Sequence, residues 1–383
     1  SLTGGAITLT QANVLGDVTV VSGAGAVSLT ENEGISIAAI TRTDGDLTLN
    51  AGSNAISQSG VIAVDDGAVS LTGGAITLTQ ANVLGDVDIS SSGSNNVALT
   101  DSSTLTLGTV SVEQNLNLVA GGTISDSGDL SITGTSTFDN SGVGSASNIT
   151  LDNSNTFGGD VTITTHAGSD VTINDSDAFA VQSGLNVNNL SITAGGDVTD
   201  LGDLDIDGTL TVSAVGQTVD LDGPGNAIDG AISLTGDAVT LVDTGSTDID
   251  LISAGGTVNV TTGGATSVKG VIAGSQTVNL TLGGALTDGD ADAGGADTTV
   301  NVTADTFNIL GNQAVTDIET NVATLDLTTA ATSITETDGV TLSDSTVTGQ
   351  LDLVTGGATV LGALSAGSQT VNLTLGGALT DGD

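Results

Sequence analysis

Residues 1–18 read SLTGGAITLTQANVLGDV, and the same eighteen residues return verbatim at 70–87. The stretch holds no His, Cys, Lys, Arg or aromatic residue, so it is poor material for chemistry. Its copying is first an architectural signal, because self-similarity along a chain marks repeat folds. A second verbatim pair, AGSQTVNLTLGGALTDGD, occupies 273–290 and 366–383. Inside both pairs aliphatic residues alternate with polar ones, as in Ile7 and Leu9, Ile76 and Leu78, Val278 and Leu280. Period two marks a strand with one buried face.

The alternation runs far beyond the copies. It recurs at Val18/Val20, Leu47/Leu49, Val87/Ile89, Leu116/Leu118, Val161/Ile163, Leu210/Val212, Val258/Val260 and Leu351/Leu353. Consecutive examples along the chain often fall 18–29 residues apart, separated by turns rich in Gly, Asn, Asp and Ser. No twelve-residue stretch has helical periodicity, and the single proline, Pro224, lies in the turn sequence DGPGN. A unit this short cannot bury its own face, so the units must stack. A sandwich or barrel also alternates, but such folds place aromatic residues in their cores and do not explain near-identical segments along a chain. The expected fold is all-β, a parallel β-solenoid of roughly 15–18 coils of about 20–25 residues. Residues 1–383 are expected to form one continuous solenoid, on the order of 70–90 Å long at ~4.8 Å per coil. In residues 1–18 the expected inward positions are Leu2, Ile7, Leu9, Val14, Leu15 and Val18, with corners at Gly4, Gly5 and Gly16. Uneven spacing predicts extruded loops at 139–147 and 288–297.

Composition narrows the function classes. The chain has four Phe (Phe138, Phe157, Phe179 and Phe307) and no Trp, Tyr, Met or Cys. A core built this way must be regular enough for Val, Ile, Leu and Ala to fill it. At 38% hydrophobic residues the chain is far from a disordered acidic tail. Forty-five acids face two bases, Arg42 and Lys269, for a net charge of −43. Nucleic-acid and anionic-membrane binding need basic patches, which two bases cannot build. No apolar run approaches the roughly 18–20 residues of a membrane span. The absence of Cys excludes a disulfide framework. With neither an initiator Met nor a signal-peptide pattern, the chain is expected to be a mature product or a part of something longer.

Candidate sites are few. His166 is the only histidine, and general-base or metal chemistry would require partners for it. A solvated turn is the simpler reading. Ser–His–Asp catalysis lacks the strand-to-helix elbow that presents the nucleophile. Paired carboxylates hydrolyse sugars in β-helix enzymes, but such sites hold sugars with rings and bases that are scarce here. The chain is therefore read as no enzyme. DLDIDG at 203–208 opens like a calcium loop, but the twelfth position is Ala214, so the run reads as a strand with Leu204 and Ile206 inside. DGDADAGGAD at 288–297 is the better calcium candidate, with Asp288, Asp290, Asp292 and Asp297 on a Gly-rich loop. No other cofactor is implied. Thr-x-Thr pairs such as Thr77/Thr79 do not recur on every coil and read as outward strand positions.

Three stretches carry a family resemblance: GDLTLNAGSNAISQSGVIAV (45–64), SNNVALTDSSTLTLGTVSVEQNLNLVAGG (94–122) and NLNLVAGGTISDSGDLSITG (115–134). They resemble the degenerate repeats of filamentous-haemagglutinin-like giant bacterial surface adhesins. The resemblance implies a right-handed parallel β-helix, secreted across the bacterial envelope and displayed at the cell surface. The function then expected is a structural rod of an adhesin or extracellular filament, mediating attachment or cell–cell contact. The expected partners are further copies of the chain, end to end or side by side, or more of the same giant chain. A surface glycan or protein receptor is also expected. A glycan- or protein-binding β-helix module is the alternative, and a polysaccharide-degrading enzyme ranks below both.

Overall fold

The computed structural model describes residues 1–64, 66–142, 144–290 and 299–382, with the side chains of 24 and 42–44 left aside. Every element among them is a strand or a short turn, and none is a helix. No helix there is long and apolar enough to cross a membrane. The strands pair in parallel and stack as a β-solenoid of about 18 turns. They fall into two compact units, Ser1–Asn188 and Asn189–Asp383.

In the first unit each coil lays down three short strand segments, and equivalent residues sit one above the next. One column runs Leu9, Leu29, Leu49, Leu71, Ile89, Val110 and Leu130 in register. A second runs Ile35, Ile56, Ile76, Val97 and Leu116. A third runs Leu2, Val20, Ile40 and Ile62. Inside the unit these side chains are almost wholly buried, as at Leu29, Leu49, Ile56 and Ile62 (0% exposed). Like residues stacked at one strand spacing fill space without aromatic residues, which explains the bare composition.

The second unit repeats the scheme. Val198, Val219, Val239, Val258 and Val278 form one inward column, continued by Phe307, Leu325 and Leu342. On the outside, Asn279 Nδ2 donates to Asn259 Oδ1 (2.8 Å) and Asn308 Nδ2 donates to Asn279 Oδ1 (2.7 Å). Such rungs tie coil to coil across the solvent face.

All four Phe are buried. Phe138 and Phe157 meet edge to face at 5.9 Å. At the corners, Gly16 and its twin Gly85 have φ of 64° and 67°, a conformation that favours glycine. Of the other two expected corners, Gly4 ends the strand Leu2–Gly4, as its twin Gly73 ends Val69–Gly73, and Gly5 and its twin Gly74 lie in the bends that follow.

One inward assignment is corrected. Val14 is 66% exposed, while Asn82, the twin of Asn13, is 0% exposed. The parallel register skips here, with Leu78 over Leu99 but Asn82 over Asp101, so the strand bulges. After the bulge, alternation places positions 13 and 15 inward and turns 14 out. Leu84, the twin of Leu15, is accordingly buried, whereas Leu15 itself is 36% exposed.

Candidate functional site

Of the four expected calcium ligands, Asp288 and Asp290 are described, and Asp292 and Asp297 lie outside the described residues. Asp288 ends the strand Leu286–Asp288 above Val268, and the Asp290 N–H turns back to Asp288 Oδ1 (3.0 Å). The buried amide of Asn301 reaches between them. Its Nδ2 donates to Asp288 Oδ1 (2.9 Å), Asp290 Oδ1 (3.1 Å) and the Val268 carbonyl (3.0 Å). A neutral amide thus supplies donors to the two carboxylates. Among the described residues no three His, Asp or Glu side chains converge as a metal site.

Asn301 belongs to a wider habit of this chain, in which buried polar side chains sit in the columns. Asn13, Asn82, Asn155 and Asn226 recur every 69–73 residues, and each stands one coil before an acid: Glu31, Asp101, Asp175 and Asp243. The bonding repeats. The N–H two residues after each Asn donates to that acid: Leu15 to Glu31 (3.2 Å), Leu84 to Asp101 (2.7 Å), Phe157 to Asp175 (3.3 Å) and Ile228 to Asp243 (3.2 Å). The residue after each acid donates its N–H to the carbonyl of the Asn, at Asn32, Ser102, Ser176 and Thr244. Thr320 and Glu336 form a fifth version, with the Val322 N–H on Glu336 at 3.1 Å.

The Asn side chains also reach down to the preceding coil. Asn82 exchanges bonds with Gln58 (2.8 and 3.0 Å), Asn155 donates to Asp126 (2.8 Å) and Asn226 donates to Asp200 (2.7 Å). Their Oδ1 atoms accept the N–H groups of Ile62, Leu130 and Leu204 at 2.8–2.9 Å. Asn82, Asn155 and Asn226 therefore each fasten their own coil to the ones on either side. Burial pushes the carboxyls of Asp175 and Glu336 above their ordinary pKa, against the lowering effect of the N–H groups bonded to them. Asp220 is also raised, by burial first and then by Asp222 and Asp200. Asp175 and Glu336 brace backbone, accepting the N–H groups of Phe157 and Asp177 and of Val322 and Asp338. The sequence signal for them was the alternation itself. In SLTE (28–31), ALTD (98–101), TIND (172–175), TLVD (240–243) and SITE (333–336), the acid follows an inward aliphatic residue by two.

The remaining candidates are plainer. His166 is exposed in a turn, with Nδ1 2.5 Å from the Ala167 carbonyl oxygen. Residues 203–208 carry the strand Leu204–Ile206, with both aliphatic side chains buried and Asp203, Asp205 and Asp207 exposed. A cavity of about 190 Å³ opens beside Asp175 and is considered below.

No curated protein and no solved structure matches the chain. A protein family does, described as repeats of unknown function (DUF5649), over residues 24–90, 94–164 and 168–235. These segments begin 70 and 74 residues apart, the pacing of the buried Asn–acid pairs. Each places its acid (Glu31, Asp101 or Asp175) seven residues after its start, and each carries a buried Asn (Asn82, Asn155 or Asn226) towards its end. The matched segments cover more than half of the sequence, and the chain belongs to the DUF5649 family of repeats of unknown function.

Proposed function

We propose that the chain is a structural segment of a secreted, surface-displayed adhesin or extracellular filament, which extends reach and presents a polar surface. The observation that carries this reading is where the polar chemistry goes. The buried acids and amides are spent on fastening coil to coil, as in the Asn82 and Asn155 networks. The outward faces carry ladders of Asn, Ser, Thr and Asp, such as Asn259, Asn279 and Asn308. What multiplies along the sequence is coil and surface. A net charge of −43 keeps such a surface hydrated and repels parallel copies. The likeness of residues 45–64 and 94–134 to filamentous-haemagglutinin-type repeats supports secretion and display. Partners in this reading are further copies of the chain and a glycan or protein on a neighbouring surface.

Immunogold electron microscopy of intact source cells, with antibody raised against the chain, tests the reading. Label along fibres or projections outside the cell is the expected result. Label confined to the cell interior overturns it.

A further inference from the structure

Asp175 takes part in the coil-fastening scheme through one carboxylate oxygen alone. Asp175 is 1% exposed. Its Oδ1 accepts the N–H groups of Phe157 (3.3 Å) and Asp177 (3.2 Å), while its Oδ2 is buried without a hydrogen-bond partner. Asp175 lines the cavity of about 190 Å³ that opens between the strands Ile149–Phe157 and Val161–Thr164 on one coil and Phe179–Val181 on the next. Phe157 and Phe179 are the largest groups on the rest of the wall, exposed Asp160 joins it, and polar atoms make up the larger share of its accessible lining. We propose that this cavity binds a short primary alkylammonium ion, with the ammonium on Asp175 Oδ2 and the alkyl body against Phe157 and Phe179.

The chain holds two bases against forty-five acids, and one of them, Lys269, already pairs with Asp250 (3.0 Å). A net charge of −43 concentrates cations at the surface. Burial pushes the Asp175 carboxyl above its ordinary pKa, as befits a carboxylate short of positive charge. The wall chemistry selects the kind of cation. Calcium takes about 6–8 oxygen ligands, and the side chains of this wall offer only the two carboxylates of Asp175 and Asp160. An ammonium is served by one carboxylate, and aromatic rings attract both its charge and its alkyl body. The size agrees, since a cavity of about 150 Å³ accepts benzene.

The test is titration of the full chain with n-propylammonium chloride, followed by NMR of the phenylalanine rings. With four Phe and no Tyr or Trp the ring spectrum is simple. The expected result is saturable shifts at Phe157 and Phe179, with Phe307 in the second unit unmoved. Sodium and calcium chloride at matched ionic strength should not reproduce them. Asp175→Asn retains an oxygen for the Phe157 N–H and should weaken binding about tenfold or more. If that variant fails to fold, as the Phe307 signal would report, Phe179→Leu should weaken binding severalfold. Absence of saturable shifts, equal affinity in Asp175→Asn or in Phe179→Leu, or reproduction by sodium chloride would overturn the proposal.

Discussion

At the scale of single residues, removing a buried Asn strands several backbone groups at once. Asn82 accepts the Ile62 N–H and donates to the Leu78 and Thr100 carbonyls (3.1 and 2.9 Å). Asn82→Ala should lower unfolding free energy in urea by about 2–4 kcal/mol. Asn259→Ala, on the outer face, should cost about 0.5 kcal/mol or less. Comparable losses at both sites would contradict the fastening role. The acids beside these amides set a pH dependence. Asp175 and Glu336 have folded pKa values raised by burial, so the folded state holds their protons more tightly than the unfolded chain does. Their contribution is fully present below the ordinary carboxylate pKa and is lost as pH climbs from about 4 through the raised values. General repulsion among 45 acids has the same sign, so the informative quantity is a difference between proteins. Asp175→Asn and Glu336→Gln should each show a shallower fall in urea midpoint between pH 4.5 and 7.5 than the parent chain. Identical slopes would refute the assignment.

At the scale of the strand and its corner, stability rests on what lies directly above and below. Leu78, in register with Leu99 on the next coil, is 0% exposed. Leu78→Ala should cost about 2–5 kcal/mol, read by equilibrium unfolding. Corners are tighter than strands. A Cβ on Gly284 would sit 2.6 Å from the Gly264 carbonyl oxygen on the coil below, while one on Gly142 would meet nothing within 4 Å. Gly284→Ala should destabilise by about 1–3 kcal/mol. Gly142→Ala should be neutral or slightly stabilising. The strands, the helix-free organisation and the corner at Gly16 were legible because aliphatic alternation and glycine placement are local. Val14 was misread because its aliphatic identity outweighed the period. The bulge hands the inward position to Asn13 and Asn82, whose burial depends on bonds to coils about twenty residues away. The same oversight hid Glu31, Asp101 and Asp175, which alternation places inside but charge suggests outside. The cavity beside Asp175 was out of reach altogether, since its wall is assembled from strands on two successive coils.

At the scale of the whole chain, the DUF5649 repeat acquires a physical meaning. Each matched segment of about 70 residues spans several coils, with a buried acid near its start and a buried Asn towards its end, and the Asn of one segment stands one coil before the acid of the next, as Asn82 before Asp101 and Asn155 before Asp175. Aliphatic columns alone tolerate a coil slipping along its neighbour, because Val, Ile and Leu stack on one another interchangeably. A buried amide that must meet a particular N–H does not slip, since a wrong register leaves polar groups unpaired in the core. The central claim is therefore parallel, in-register stacking of successive coils, and the absence of native Cys makes it directly measurable. Thr48 sits over Ser70 in register, with both side chains facing outward from neighbouring coils. Parallel neighbours at ~4.8 Å lie within the Cα separation that a disulfide spans, whereas a partner displaced by two residues does not. Mild oxidation of the Thr48→Cys/Ser70→Cys chain should give a rapid intramolecular disulfide, and the Thr48→Cys/Thr72→Cys chain should give little. Equal cross-linking of the two pairs, or preference for the displaced one, would contradict the stacked-coil account.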